Sequence, residues 1–296
     1  MMRRVIVNID AVNNLAFDAL EKGDFLTAQK LFRENCNCGD YRTLNNFGFF
    51  CIENGVERQN GQVVSGIGYG KRYIKRAYEL KENWLILSNM ALLARYEMDY
   101  KSAFDFYKKA YEQKNDIDIL YNMSACLYET NQYKAVMDLL KESNLTAPDF
   151  FLLYLFSALK EDRGVFASIL NENDVRSMRL DPDIILVILY LYNKNKIALE
   201  DIDNYLNAWN PDKYMWAVVI DSLIYNNVSV CSIKEMIDRK TEGYVSENKL
   251  KKSALSFLNS SAEQRQIYIE STPYYKPVFR DTCGYFGCPI HNTEWD

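Results

Sequence analysis

Ala91-Leu-Leu-Ala94-Arg-Tyr-Glu-Met-Asp-Tyr100-Lys-Ser-Ala103-Phe-Asp-Phe-Tyr107-Lys-Lys-Ala110 is the stretch from which the architecture of this chain is read. Small residues at Ala91, Ala94, Ala103 and Ala110 alternate with larger ones at helical spacing on two successive helices. Small residues let the two helices of a hairpin approach closely, and Tyr100 and Tyr107 fill the space beside them. The plan occurs elsewhere. Asn13 to Asn35 carries Ala16 and Ala19, a turn at Gly23-Asp24-Phe25, then Ala28 and Phe32. Leu120 to Leu140 carries Ser124 and Leu127, a turn at Asn131-Gln132-Tyr133, then Val136 and Leu140. A degenerate copy lies between them. It begins with Asn46, Gly48 and Cys51 and resumes at Tyr73 to Ala77, after an insertion rich in Gly between Gly55 and Gly70.

One residue type sets the register. An Asn lies two residues before the small residue of each first helix, at Asn14, Asn46, Asn89 and Asn122, which are 32, 43 and 33 residues apart. The long middle interval matches the insertion. In period, spacing and residue type, residues 13–145 resemble the tetratricopeptide repeat (TPR) family, whose period is about 34 residues. The resemblance implies an all-α fold, a right-handed superhelix of antiparallel helix hairpins, whose first helices line a concave groove that receives extended or helical peptides. The residues it places on that groove are Asn14, Asn46, Asn89 and Asn122 with Phe17, Phe49, Arg95, Tyr96, Tyr121 and Tyr128. An amide side chain offers both a donor and an acceptor to a ligand backbone, Arg95 suits a carboxylate, and the tyrosines give broad apolar contact with a polar end. The family's charge clamp for C-terminal carboxylates needs Lys and Arg on these faces. One turn before the four Asn stand Asp10, Arg42, Leu85 and Asp118, of which only Arg42 is basic, so that ligand type is not expected.

The chain divides by pattern into TPR-like repeats over 1–148 with an inserted loop at 56–70, further helical hairpins over 149–270 that extend or cap the superhelix, and an irregular tail over 271–296. Asp181-Pro182 and Asn210-Pro211 read as helix starts, since a polar cap followed by Pro suits unpaired N–H groups. The runs Ile184 to Asn193 and Met215 to Tyr225 are apolar nearly all round, as in interior helices. Ser261-Ala-Glu-Gln264 reads as a capping box opening a last helix over 263–269. Pro273, Pro277, Gly284, Gly287 and Pro289 forbid a long helix beyond it. The Gly-rich insertion lacks the spacing, the preceding strand and the Ser or Thr after Lys71 of a phosphate loop; it reads as a mobile loop or short hairpin, a candidate lid at the groove edge.

Composition narrows the function classes. With 48 % hydrophobic residues, 296 residues can fill a substantial core. No apolar run approaches the roughly 20 residues of a membrane span, and Asn8 and Asp10 end the short apolar run after Arg3 and Arg4 before it can act as a signal core. The expected place is the cytoplasm. A net charge of -5 argues against nucleic acid as a partner, because phosphate neutralisation needs many Lys and Arg. Seven cysteines, an odd number, read as reduced thiols rather than a disulfide framework.

The tail Asp281-Thr-Cys283-Gly-Tyr-Phe-Gly-Cys288-Pro-Ile-His291-Asn holds the single histidine. Cys283, Cys288 and His291 are candidate metal ligands, with Cys36 or Cys38 as a fourth, or the two thiols form a redox pair or a modification site. As a peptide the tail suits docking to a partner, to its own groove or to a modifying enzyme; as a strap it would pack on the last helices through Tyr285, Phe286 and Trp295. With one histidine on a terminal segment, neither a Ser-His-Asp nor a Cys-His site is supported, so no enzyme and no cofactor is expected. The expected function is an adaptor binding a protein or peptide, with no nucleic acid and no membrane. The alternatives are a metal- or thiol-dependent tail and a peptide-sensing regulator without a DNA-binding module.

Overall fold

The computed structural model describes residues 8–57, 62–141, 147–173, 178–193, 197–243, 247–291 and 293. They form an all-α fold with one two-stranded ribbon. Two compact units share the chain. The first comprises residues 1–142 with 278–296, and the second comprises residues 143–277.

The first unit is four antiparallel hairpins: α1 (Ile9–Glu21) with α2 (Phe25–Asn35), α3 (Tyr41–Asn54) with α4 (Ile67–Leu80), α5 (Trp84–Tyr96) with α6 (Tyr100–Gln113), and α7 (Ile117–Glu129) with α8 (Tyr133–Leu140). Each second helix also packs on the first helix of the next hairpin. The turns share one device. Gly23, Met98 and Asn131 adopt left-handed conformations that end α1, α5 and α7, and Asp24 and Asp99 then cap α2 and α6 by accepting from Thr27 N and Ser102 N. The small residues work as the pattern requires: Ala16, Ala28, Ala91, Ala103 and Ala110 are completely buried where helices meet.

The insertion expected over 56–70 as a loop or short hairpin carries a hairpin's paired strands and ends earlier. Its ends form β1 (Val56–Glu57) and β2 (Val63–Val64), paired antiparallel, and residues 67–70 already belong to α4. Gly70 is helical because α3 and α4 nearly touch: a Cβ there would lie 2.6 Å from Gly48 O, and one at Gly66 only 1.7 Å from Cys51 O. These glycines are packing residues. The ribbon is tied to α2, where the Gln29 amide donates to Glu57 O (3.0 Å) and accepts from Glu57 N (2.8 Å). Residues 58–61 of the expected lid lie outside the described residues.

The second unit holds α9 (Pro148–Glu161), α10 (Arg163–Glu172), α11 (Pro182–Asn193), α12 (Leu199–Ala208), α13 (Met215–Tyr225), α14 (Val230–Thr241), α15 (Glu247–Asn259) and α16 (Ala262–Ser271). Helix α13 is its core, apolar all round because α11, α12, α14, α15 and α16 pack on it, with Trp216 completely buried. Inside that core, Arg265 Nε donates to Asp221 Oδ1 (2.6 Å) and Tyr190 OH donates to Asp221 Oδ2 (2.8 Å). Pro182 opens α11 and the Ser261–Gln264 capping box opens α16, as the sequence predicts. Pro211 does not open α13. Asp212 accepts from Tyr214 N and Met215 N, so the helix starts four residues later than the Asn210-Pro211 signal. Among the described residues no helix is long and apolar enough to cross a membrane.

Candidate functional site

The first helices of the hairpins, α1, α3, α5 and α7, present their asparagines to one segment, the chain's own residues 279–288. Asn122 sits on α7, where its Nδ2 donates to Arg280 O (2.9 Å) and its Oδ1 accepts from Arg280 N (2.8 Å). Asn46 on α3 repeats the grip six residues on, donating to Phe286 O (2.9 Å) and accepting from Phe286 N (2.7 Å). Between them Asn89 of α5 and Asn45 of α3 both donate to Gly284 O, at 2.8 and 2.7 Å. A side-chain amide matches a peptide group donor for acceptor, so these contacts read main chain and are indifferent to ligand side chains.

The asparagines also brace one another. Asn89 Nδ2 donates to Asn45 Oδ1 and Asn46 Nδ2 to Asn13 Oδ1, each at 2.8 Å, which fixes both amides across adjacent repeats. In the first repeat the groove residue is therefore Asn13, which is buried and also donates to Phe286 O (3.4 Å), whereas Asn14 is exposed. Spacing alone selected Asn14 from an adjacent pair; the helix turns only one of the two inward. Asn45 was missed although, unlike Asn14, it faces the segment together with its neighbour Asn46, and the doubled Asn13-Asn14 and Asn45-Asn46 were the available signal.

Side chains on the same segment fill apolar sockets. The Tyr285 ring meets Phe17 (5.3 Å between centroids), Phe32 (5.7 Å) and Phe49 (4.7 Å), and Phe286 meets Tyr41 (5.7 Å). Arg95 lies 3.8 Å from the Phe279 ring centroid, while its Nη1 donates to the Tyr107 hydroxyl (3.1 Å). Burial pushes the Tyr107 phenol up to about 12, so it stays a neutral acceptor. Arg280 packs over Tyr121 (5.0 Å) and pairs with Asp118 at 2.5 Å. The position where a carboxylate clamp would carry a cation thus carries an acid, and it meets a cation of the segment. Gly284 is required by contact rather than by backbone angle: a Cβ there would lie 2.3 Å from Asn89 Oδ1 and 2.4 Å from the Phe49 ring.

Tyr96 of α5 is half exposed, its phenol pushed up first by partial burial, then by Glu53 and by Asp281 of the segment, and Tyr128 packs edge-on against Tyr133 of α8 (5.2 Å). The expectation that the tail packs on the last helices through Tyr285 and Phe286 is corrected: Tyr285 packs on Phe17 of α1, Phe32 of α2 and Phe49 of α3, and Phe286 packs on Tyr41 of α3, since the aromatic sockets that fit them lie in the first repeats. Trp295 lies outside the described residues.

Past the aromatic pair the tail folds on itself. Gly287 is left-handed (φ 64°), Cys288 N donates to Thr293 Oγ1 (2.8 Å), and that hydroxyl donates to Tyr285 O (2.6 Å). The ligand atoms of Cys283, Cys288 and His291 all lie within 4.8 Å of one another. The Cys288 thiol is pushed down, first by the Cys283 thiol beside it, and Cys283 is pushed up by the same pairing. Cys36 and Cys38 are not part of this cluster; they hydrogen-bond to Thr43 O and Thr43 Oγ1.

No protein-family model matches the sequence, and a search of curated proteins gives no match. Among solved structures, the fold is similar to a tetratricopeptide repeat protein from Parabacteroides merdae, with a TM-score of 0.53 and 16 % identity over 85 % of this chain and 99 % of that one. A structure of Naa15/Naa10 bound to HypK-THB superposes with a TM-score of 0.44 and 12 % identity over 88 % of this chain and 41 % of that one, too weakly to carry an argument. The chain has an all-α, TPR-like helical-repeat fold.

Proposed function

We propose that this chain is a protein-interaction module whose groove grips an extended polypeptide segment by its main chain, and that its own C-terminal segment occupies the groove until a partner segment displaces it. The observation that carries the reading is the paired grip of Asn46 and Asn122, each bonding both the N–H and the C=O of one segment residue. Nothing in a helix-packing role requires an amide to satisfy two groups of the same distant residue. Preference among ligands follows from the sockets: an aromatic pair for the Phe17–Phe32–Phe49 cluster and Tyr41, a residue without Cβ two positions before its second member, and a cation for Asp118. The groove is thus a site for a protein or peptide partner, with the tail as competitor in cis.

The test is a titration of a labelled peptide spanning Val278–His291, under reducing conditions, into the full-length Gly284→Ala chain, whose own tail fits poorly. Binding is expected there, and at least tenfold weaker binding when Asn46→Ala and Asn122→Ala are added. The wild-type chain should bind the peptide more weakly than Gly284→Ala, since a tethered competitor acts at an effective concentration on the order of millimolar. Equal affinity for all three chains would refute the reading.

A further inference from the structure

The tail's terminal loop contains chemistry that the groove does not use. Cys283 and Cys288 bracket the anchoring Tyr285-Phe286 pair, and His291 follows one turn later; all three ligand atoms converge although no helix or strand holds them. From this convergence we infer that Cys283, Cys288 and His291 form a zinc site with three protein ligands and a fourth position open to solvent.

The dimensions fit. With Zn–S near 2.3 Å and Zn–N near 2.0 Å in a tetrahedron, a sulfur and a nitrogen ligand stand about 3.5 Å apart. Cys288 Sγ and His291 Nδ1 are 3.4 Å apart. Two thiolates and an imidazole are the donor set that selects zinc over magnesium or calcium. The Thr293 hydroxyl closes the loop behind Cys288, accepting from Cys288 N and donating to Tyr285 O, so the loop's own hydrogen bonds hold the chain that carries the ligands. The positive φ of Gly287 makes the reversal that returns the chain from the buried Phe286 to the second ligand. Both thiols are free, which leaves their sulfurs available. Cys288 is buried, Cys283 half-buried and His291 exposed, so the open coordination position faces solvent.

Binding balances simply. The zinc ion binds both cysteines as thiolates, with any thiol proton still present released to solvent, His291 binds as neutral imidazole through Nδ1, and water takes the fourth position. The metal thereby cross-links the two sides of the Tyr285-Phe286 anchor. The inference does not depend on what the groove binds in trans, and its failure would leave that reading intact.

The experiment uses the full chain, reduced with a non-chelating phosphine, stripped with a chelator and then given zinc alone. Metal retained after gel filtration is measured against protein, and cobalt is substituted to record the thiolate-to-metal charge-transfer band and the tetrahedral ligand-field bands. One zinc per chain is expected, and a cobalt spectrum carrying sulfur charge transfer. His291→Gln, at an exposed position where folding is not at stake, and Cys288→Ser should each abolish stoichiometric retention, whereas the Cys36→Ser/Cys38→Ser chain should keep it. Failure of the reduced wild-type chain to retain zinc, or retention unaffected by both His291→Gln and Cys288→Ser, would overturn the inference.

Discussion

Replacing Gly284 by alanine is the sharpest perturbation of the groove. The added methyl would lie 2.3 Å from Asn89 Oδ1 and 2.4 Å from the Phe49 ring, well inside van der Waals contact. Asn89 is braced by Asn45, and Phe49 is buried beside Tyr285, so neither can yield without breaking a hydrogen bond or an aromatic contact. Overpacking of this kind costs about 1–3 kcal/mol. Since about 1.4 kcal/mol is a factor of ten, the docked-to-undocked ratio of the tail should fall roughly 5- to 150-fold. Hydrogen exchange reads this at the Phe286 amide, whose N–H is buried on Asn46 Oδ1. Its protection should drop by that factor, while the amides of α13 keep theirs. Unchanged protection at Phe286, or an equal loss in α13, would refute the steric argument.

Three further outcomes follow from the same contacts. Asn46→Ala leaves the Phe286 N–H and C=O without their principal partner and should cost about 1–3 kcal/mol in denaturant unfolding, whereas the exposed Asn14→Ala should stay within about 0.5 kcal/mol; equal effects would show that the register is wrong. In the second unit Arg265→Met strands the buried Asp221 carboxylate and should cost about 3–5 kcal/mol, while Arg265→Met with Asp221→Leu should recover much of that loss in the same assay. Cys51 and Cys126, pushed up to about 12 by burial, should resist iodoacetamide in the native chain and react only on unfolding, while the exposed Cys38 and Cys231 react at once; mass spectrometry of the labelled peptides reads the difference.

The repeats were legible because helix packing writes itself locally. Ala16, Ala91 and Ala103 occupy positions where only a small side chain lets helices touch, and that demand survives in sequence spacing. The long interval between Asn46 and Asn89 correctly marked an insertion, but its glycines misled. Gly66 and Gly70 resemble loop residues, yet they are dictated by the approach of α4 to α3, a contact that composition does not reveal. The site was half legible for a related reason. Helical spacing identified Asn46, Asn89 and Asn122, but in the first repeat it selected the exposed Asn14 where its neighbour Asn13 faces inward. No local pattern singled out the occupant among the tail's several possible destinations: the bonds from Asn46 to Phe286 and from Asn122 to Arg280 span 240 and 158 residues. Phe17 and Phe49 were placed on the groove by the repeat, and with Phe32 of the second helix they form a socket for Tyr285.

The central claim is that residues 279–288 lie in the groove formed by the first helices. Nuclear Overhauser contacts between ring protons test it directly in protein labelled at Phe and Tyr, with Tyr285 assigned from the loss of its signals in Tyr285→Leu. Centroid separations of 4.7 Å to Phe49 and 5.3 Å to Phe17 predict cross-peaks from Tyr285 to both rings. A Tyr285 ring that is observed but shows no contact to Phe17, Phe32 or Phe49 would contradict the account.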